Sequence, residues 1–273
     1  MSRSEFGEFL IARRGQLQPE QVGLPAGRRR RTPGLRREEV AALAGVSADY
    51  LARLEQGRDT NPSMAVLGAL SDALRLDEVE RHHFGKLAMG MEQKASCPKS
   101  GQAGEEVSET LRAVIDALHP TPAFVLGRWL DLLATNPAWR DLAEPIGMFD
   151  AAAHNNLAYY VFAHPDAPRY FGNWAEAADV IVSALRNAQA RFADDETLEA
   201  RITDLQRYPE FDRRWREHRV TDYRSHLLRV EHPLRGTLEI EVETLDPAAD
   251  QSVNVWLVDR RQVHAPALRL VNE

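Results

Sequence analysis

Arg28-Arg29-Arg30-Arg31 is the densest block of charge in this 273-residue chain. Adjacent guanidinium groups repel one another and do not pack inside a core. Such a run is either a solvated loop or a set of donors for phosphate oxygens or a minor groove. The phosphate reading is preferred because the run leads through Arg36 and Arg37 into a second group at helical spacing. That group is Ser47, Ala48, Asp49, Ala52, Arg53 and Gln56. An arginine can present parallel N–H donors to O6 and N7 of guanine, and small alanines permit close approach and contact with thymine methyls. These residue types point to duplex DNA, with Arg53 as the best candidate for a guanine edge.

The other reactive side chains do not assemble into a catalytic pattern. The chain has no GxSxG, no P-loop, no HExxH and no dinucleotide glycine fingerprint. His154, His164, His218, His226, His232 and His264 are scattered, and the neighbours His82 and His83 point different ways on a helix. Asp194-Asp195 reads as a helix N-terminus or solvated turn rather than an acid–base pair. His232, before Pro233, reads as structural. The single cysteine, Cys97, excludes an internal disulfide framework and any Cys-rich zinc site, and its polar surroundings suit an inert exposed thiol. No catalytic residue, metal ligand or cofactor is expected, and the chain is not read as an enzyme.

The elements that must position the DNA-facing group lie in Leu35–Arg58. Val40, Leu43 and Ala44 share one helix face, and Tyr50, Leu51 and Leu54 share another. Gly45 stands where the first helix must stop, since glycine takes positive φ without steric cost. Ser47 suits an N-cap, Asp49 the positive end of the second helix, and Gly57 its C-terminal stop. Two apolar-faced helices joined by a glycine-containing turn make a helix-turn-helix, with Ala48–Gln56 as the helix for the major groove. Val40-Ala41, Ala44-Gly45-Val46-Ser47 and Leu51–Leu54-Glu55 resemble the lambda-repressor-like (Cro/cI, or XRE) DNA-binding family.

Charge and composition divide the chain. Net charge is −7, from 34 Lys+Arg against 41 Asp+Glu. Through Gly90 there are 14 basic against 12 acidic residues, +2, and the remainder holds 20 against 29, −9. Only the first part needs to approach phosphate. Ser2–Arg14 is a first helix with Phe6, Phe9 and Leu10 inward, and Gln16–Gly34 is a long loop. Asn61 and Pro62 open a helix with Met64, Leu67, Leu70 and Leu74 inward, and Asp77–Met89 is a fifth. Residues 1–90 are thus an all-α domain, 91–106 a polar linker, and 107–273 a second domain. No apolar run has the length of a membrane span, and the N-terminus has no apolar signal core, so a cytoplasmic protein is expected.

The second domain reads as α+β. Val107, Leu111, Val114 and Leu118 line one helix, Phe124–Leu126 and Trp129–Ala134 are short strands around Gly127, and Asn136-Pro137 caps a helix. Helices follow at Trp174–Phe192, Leu198–Tyr208 and Phe211–His218. Tyr223–Val230, Thr237–Leu245 and Ser252–Asp259 then switch to β-favouring residues, and apolar and acidic residues alternate strictly from Leu238 to Glu243. The expectation is an antiparallel sheet with helices gathered on it. The stretch Val107–Asp259 resembles the MmyB-like regulator domain, a PAS-like fold. The residues that carry the resemblance are Thr121-Pro122-Ala123, Gly127-Arg128, Asn136, Asn156-Leu157, Trp174, Ala184-Leu185-Arg186, Asp194-Asp195, Phe211, Trp215, His218, His232-Pro233 and Gly236. The chain departs from that pattern at Trp129-Leu130-Asp131 and lacks the arginine that often flanks the Asn156-Leu157 pair.

The resemblance implies a ligand held between sheet and helices, with a lipid such as a fatty acid as effector. Phe124, Leu126, Leu133, Leu157, Phe162, Val255 and Leu257 supply apolar surface that either lines a pocket or fills a solid core. Arg128 and Asn156 are candidates for a carboxylate head, and Trp174 joins the set. Trp129, Trp139, Trp215 and Trp256 suit a pocket wall or a core equally. The sequence therefore describes a two-domain DNA-binding regulator whose second domain senses a small apolar ligand, with double-stranded DNA and a second copy of the chain as partners. The alternatives are a constitutive repressor whose second domain only dimerises, and an enzyme with an appended DNA-binding domain.

Overall fold

A computed structural model of the chain describes residues 5–25, 34–59, 61–93, 106–192, 195–218, 220–246 and 250–258. Arg28–Arg31, Cys97, Asp194, Asp259, His264 and most of the linker lie outside the described residues. The chain divides into two compact units.

The first unit is helical: α1 (Glu5–Gln16), a 3-10 turn at Pro19–Val22, α2 (Arg37–Leu43), α3 (Ala48–Glu55), α4 (Met64–Ala73) and α5 (Glu78–Gln93). Phe6, Phe9, Leu10, Leu51, Leu54, Leu70 and Phe84 are its buried centre, with Phe6 and Phe84 stacked at 4.7 Å. α1 runs against the end of α3 so closely that a Cβ on Gly7 would stand 2.4 Å from the Glu55 carbonyl oxygen. Asn61 does not cap α4. Ser63 does, its hydroxyl accepting from Val66 N at 3.3 Å, because a serine one residue after proline already reaches the first free amide. The compact unit also takes in Gln189–Asp195 and Arg213–Thr221, and Val220 is buried in the same core.

The second unit is built on five antiparallel strands in the order β2-β1-β5-β4-β3. These are β1 (Ala123–Gly127), β2 (Leu132–Thr135), β3 (Ser225–His232), β4 (Gly236–Leu245) and β5 (Gln251–Val258). α6 (Glu109–Ala117) lies on one face, where Ile115 packs with Ala123, Val125, Ala134, Val253 and Val255. The other face presents Phe124 and Trp256, which pack on Trp139 of α7 (Pro137–Ala143) at 4.5 and 5.8 Å. After α7 come short pieces without a periodic signal in the sequence: 3-10 turns at Glu144–Ile146 and Ala151–Ala153, α8 (Leu157–Ala163) and α9 (Ala167–Tyr170). The longer helices α10 (Trp174–Arg191), α11 (Glu196–Leu205) and α12 (Pro209–Glu217) follow, with the end of α10 and the part of α12 from Arg213 onward counted in the first unit.

Asn136 holds the middle of this unit together. It is fully buried and uses every hydrogen-bonding position. Its Oδ1 accepts from Trp139 N, capping α7, and from Ala123 N, while Nδ2 donates to Ile115 O and Thr121 O, at 2.8–3.1 Å.

Candidate nucleic-acid interface and ligand pocket

The turn between α2 and α3 is fixed by backbone. Gly45 has φ +66°, and Val46 N reaches back to Ala41 O at 3.0 Å, the bond that closes a left-handed helix stop. Ser47 Oγ then accepts from Tyr50 N at 3.0 Å and starts α3. Leu51, Leu54 and Glu55 face inward. Ser47, Asp49, Arg53 and Gln56 are exposed, while Ala48 and Ala52 are half-buried, and Ala48 packs partly on the core.

The orientation of α3 depends on a buried charge cluster. Glu55 is 1% exposed. Its carboxylate accepts from Arg14 Nε at 2.9 Å and from Arg37 Nε and Nη2 at 2.9 and 2.7 Å, and Arg14 also donates to Leu35 O. A carboxylate this deep needs such partners, since an isolated one costs several kcal/mol or more to bury. Arg37, a sequence candidate for phosphate, is thus turned onto Glu55 and joins α2 to α3, whereas Arg36 is exposed. Arg53 holds Asp49 at 2.6 Å one turn back and lies over the Tyr50 ring at 5.5 Å. Arg58, just past α3, is exposed and basic. It stood outside the sequence candidates because it follows the stop at Gly57.

In the second unit a pocket opens beside β1. Phe124 and Leu126 of β1, Leu132 of β2 and Trp139 of α7 form one wall. Met148, Asn155, Asn156, Leu157 and Tyr160 form the other. The space between them is about 250 Å³ with its solvent-filled mouth included. Its interior has room for no more than about one water. Its rim is tied by polar contacts. Asn156 Nδ2 donates to Trp129 O and Asp131 Oδ1, and its Oδ1 accepts from Ala158 N and Tyr159 N. Asp131 also pairs with Arg201 at 2.6 Å. The Tyr159 hydroxyl donates to Asp204 at 2.8 Å. Burial, and then that bond, push its pKa up to about 12, so it stays a donor.

Of the residues proposed from sequence, Phe124, Leu126, Asn156 and Leu157 line this pocket. The others lie elsewhere. Leu133 and Val255 face α6 on the opposite side of the sheet, and Leu257, on that side too, is 44% exposed. The reason is strand parity. Both faces of β5 are covered near β1, so its run of apolar residues carries no alternation to say which side looks into the pocket. Phe162 packs edge-on against Trp174 and Phe211, and Trp174 Nε1 donates to Val161 O. Arg128 lies over the Trp129 ring, with Asp250 at 3.9 Å. Asn156 is in place, but its amide is spent on α8 and the rim, leaving nothing for a carboxylate. Sequence reading missed Leu132, Met148, Asn155 and Tyr160 as wall residues and left Trp139 undecided.

Family models match both parts of the chain. A family model described as the MmyB-like transcription regulator ligand binding domain matches residues 107–270, and a helix-turn-helix domain model matches residues 5–84. A protein of Sinorhizobium fredii (strain NBRC 101917 / NGR234), described as uncharacterized HTH-type transcriptional regulator y4dJ, is 46% identical over 59 residues, 22% of this chain and 75% of that protein. With a helix-turn-helix presenting Arg53 and a pocket between sheet and α8, the chain belongs to the MmyB-like transcription regulators and joins a helix-turn-helix DNA-binding domain to a ligand-binding domain.

Proposed function

We propose that the chain binds a DNA operator as a homodimer and that a small, largely apolar effector in the β1–α8 pocket sets its affinity for that operator. The observation that carries this reading is the pocket wall: five of its nine side chains are Phe, Leu or Met, and none is charged. Apolar pockets with few polar groups suit apolar ligands. The void is smaller than any such ligand, so binding selects a more open arrangement, and a ligand that prefers one arrangement is what shifts a second equilibrium. A fatty acid would place its chain here and its head at the mouth. On this reading the protein acts in the cytoplasm, where operator DNA is found, and no catalytic role is assigned.

Denaturing extraction and mass analysis of purified protein test the reading, followed by melting with a panel of fatty acids and neutral lipids. A ligand at 100 times its dissociation constant stabilises the protein by about 2.7 kcal/mol. No extracted lipid and no melting shift across the panel would leave the second unit with dimerisation alone.

A further inference from the structure

The mouth of the pocket can be located from its own wall. Of the wall residues, Leu132, Asn155 and Leu157 reach solvent, and the rest are buried. These three stand on two facing segments, 130–132 and 155–157, which are bonded to each other as a short antiparallel ladder. Leu132 N donates to Asn155 O and Leu157 N to Leu130 O, both at 2.9 Å. Asp131 and Asn156 pair between them, and Asn155 Nδ2 adds a bond to Leu132 O at 2.9 Å. The two segments are the lips of the mouth, and the ladder closes them.

The backbone at both lips is strained. Leu130, His154 and Asn155 have φ of +65°, +50° and +52°. Side chains with a Cβ rarely adopt this left-handed region, and Leu and His hold it only where surrounding contacts impose it. That strain is relieved when the lips part. α11 acts the other way, because it holds both lips. Arg201 Nη1 donates to Asp131 Oδ1 at 2.6 Å, and its guanidinium lies over the Trp129 ring at 5.3 Å. One turn further along α11, Asp204 Oδ2 accepts from the Tyr159 hydroxyl of α8 at 2.8 Å. Parting 130–132 from 155–157 breaks at least one of these two bonds.

We infer that the ladder between 130–132 and 155–157 is the gate of the effector pocket, and that Arg201 and Asp204 of α11 latch it shut by holding one lip each. This inference rests on the proposed effector pocket and adds how entry to it is regulated. The closed void is too small for a lipid, so ligand enters the open arrangement. Its apparent affinity is then reduced by whatever fraction of the protein is closed. Weakening the latch therefore tightens ligand binding, whereas losing a bond that only supported the pocket would weaken it.

The test uses the full chain and cis-parinarate, a fluorescent fatty acid. Arg201→Met and Tyr159→Phe each remove one latch bond and keep the bulk of the side chain. Each should bind the probe about threefold or more tightly than wild type, with faster association. Arg229→Met breaks an exposed pair on β3, at the far edge of the sheet, and should bind as wild type does. A second readout needs neither ligand nor variant. In wild-type protein the amides of Leu132 and Leu157 should exchange hydrogen together, and faster than the amide of Ala123, which Asn136 holds. Weaker or unchanged probe binding in either latch variant, or equal tightening in Arg229→Met, overturns the latch. Lip amides as slow as Ala123 overturn the gate. Each of these results leaves the effector pocket standing. Wild-type protein that binds no cis-parinarate, decanoate or neutral lipid overturns the pocket and this inference with it.

Discussion

At the scale of single residues, the DNA-facing surface depends on arginines with different duties. Arg53 is exposed on α3 and in the free chain is held by Asp49 at 2.6 Å. An exposed pair of this kind is worth under about 1 kcal/mol, so base contacts can compete for the arginine. Arg53→Ala should cost about 1–3 kcal/mol on a selected operator and relax choice at one base pair, read by binding to single-base operator variants. Equal loss on random DNA would make Arg53 a phosphate contact instead. The run Arg28–Arg31 is expected to supply sequence-independent affinity. Replacing it with serines should flatten the plot of log K against log salt by about 0.9 for each phosphate that is no longer neutralised, and an unchanged slope returns the run to a solvated loop. Arg53 was legible in the sequence because it stands on the outer face of an amphipathic helix. The role of Arg37 was not, because its partner Glu55 lies 18 residues away and the third member, Arg14, lies 41 away from Glu55.

At the scale of elements, what could be read from sequence was whatever local chemistry decides. The α2–α3 turn followed from Gly45 and Ser47, α7 from Asn136 and Pro137, and β4 from strict alternation, since each signal acts within a few residues. What could not be read depends on what covers a surface. The pocket side of β5 is one case. Another is the stretch from Glu144 to Tyr170, where short turns and helices owe their form to tertiary packing. β3 carries a further consequence. His226 and His232 lie on it and face inward with Leu228 and Val230. Burial pushes both imidazoles below the ordinary histidine pKa, and Arg235 pushes His232 further the same way, while Asp222 and Glu243 oppose the effect at His226. The unfolded chain then binds more protons than the folded one just below the ordinary pKa. Stability is therefore fully present above about pH 6.5 and is lost as pH falls through the lowered folded values. Melting temperature should drop between pH 7.5 and 5.5, and His232→Gln should shrink the part of that drop beyond what other groups cause. A melting temperature that is flat or rises on acidification would contradict the assignment.

At the scale of the whole molecule, the acidic balance of the chain beyond Gly90 and the mildly basic N-terminal part reflect a division of labour between a unit that meets phosphate and a unit that meets a ligand. A single short recognition helix reads few base pairs, so a twofold pair on half-sites about one helical turn apart is expected. Sedimentation of the operator complex should give two chains per operator, and one chain at saturating protein would count against it. The central claim is that pocket occupancy and operator affinity are one equilibrium. It is tested most directly by titrating one preparation of full-length protein onto an operator selected from random DNA, with and without a saturating ligand that has been shown to raise the melting temperature. The account predicts a change in operator affinity of about fivefold or more, in either direction, with the ligand's affinity changed by the same factor when operator is present. Identical operator affinity with the pocket full and empty would contradict it.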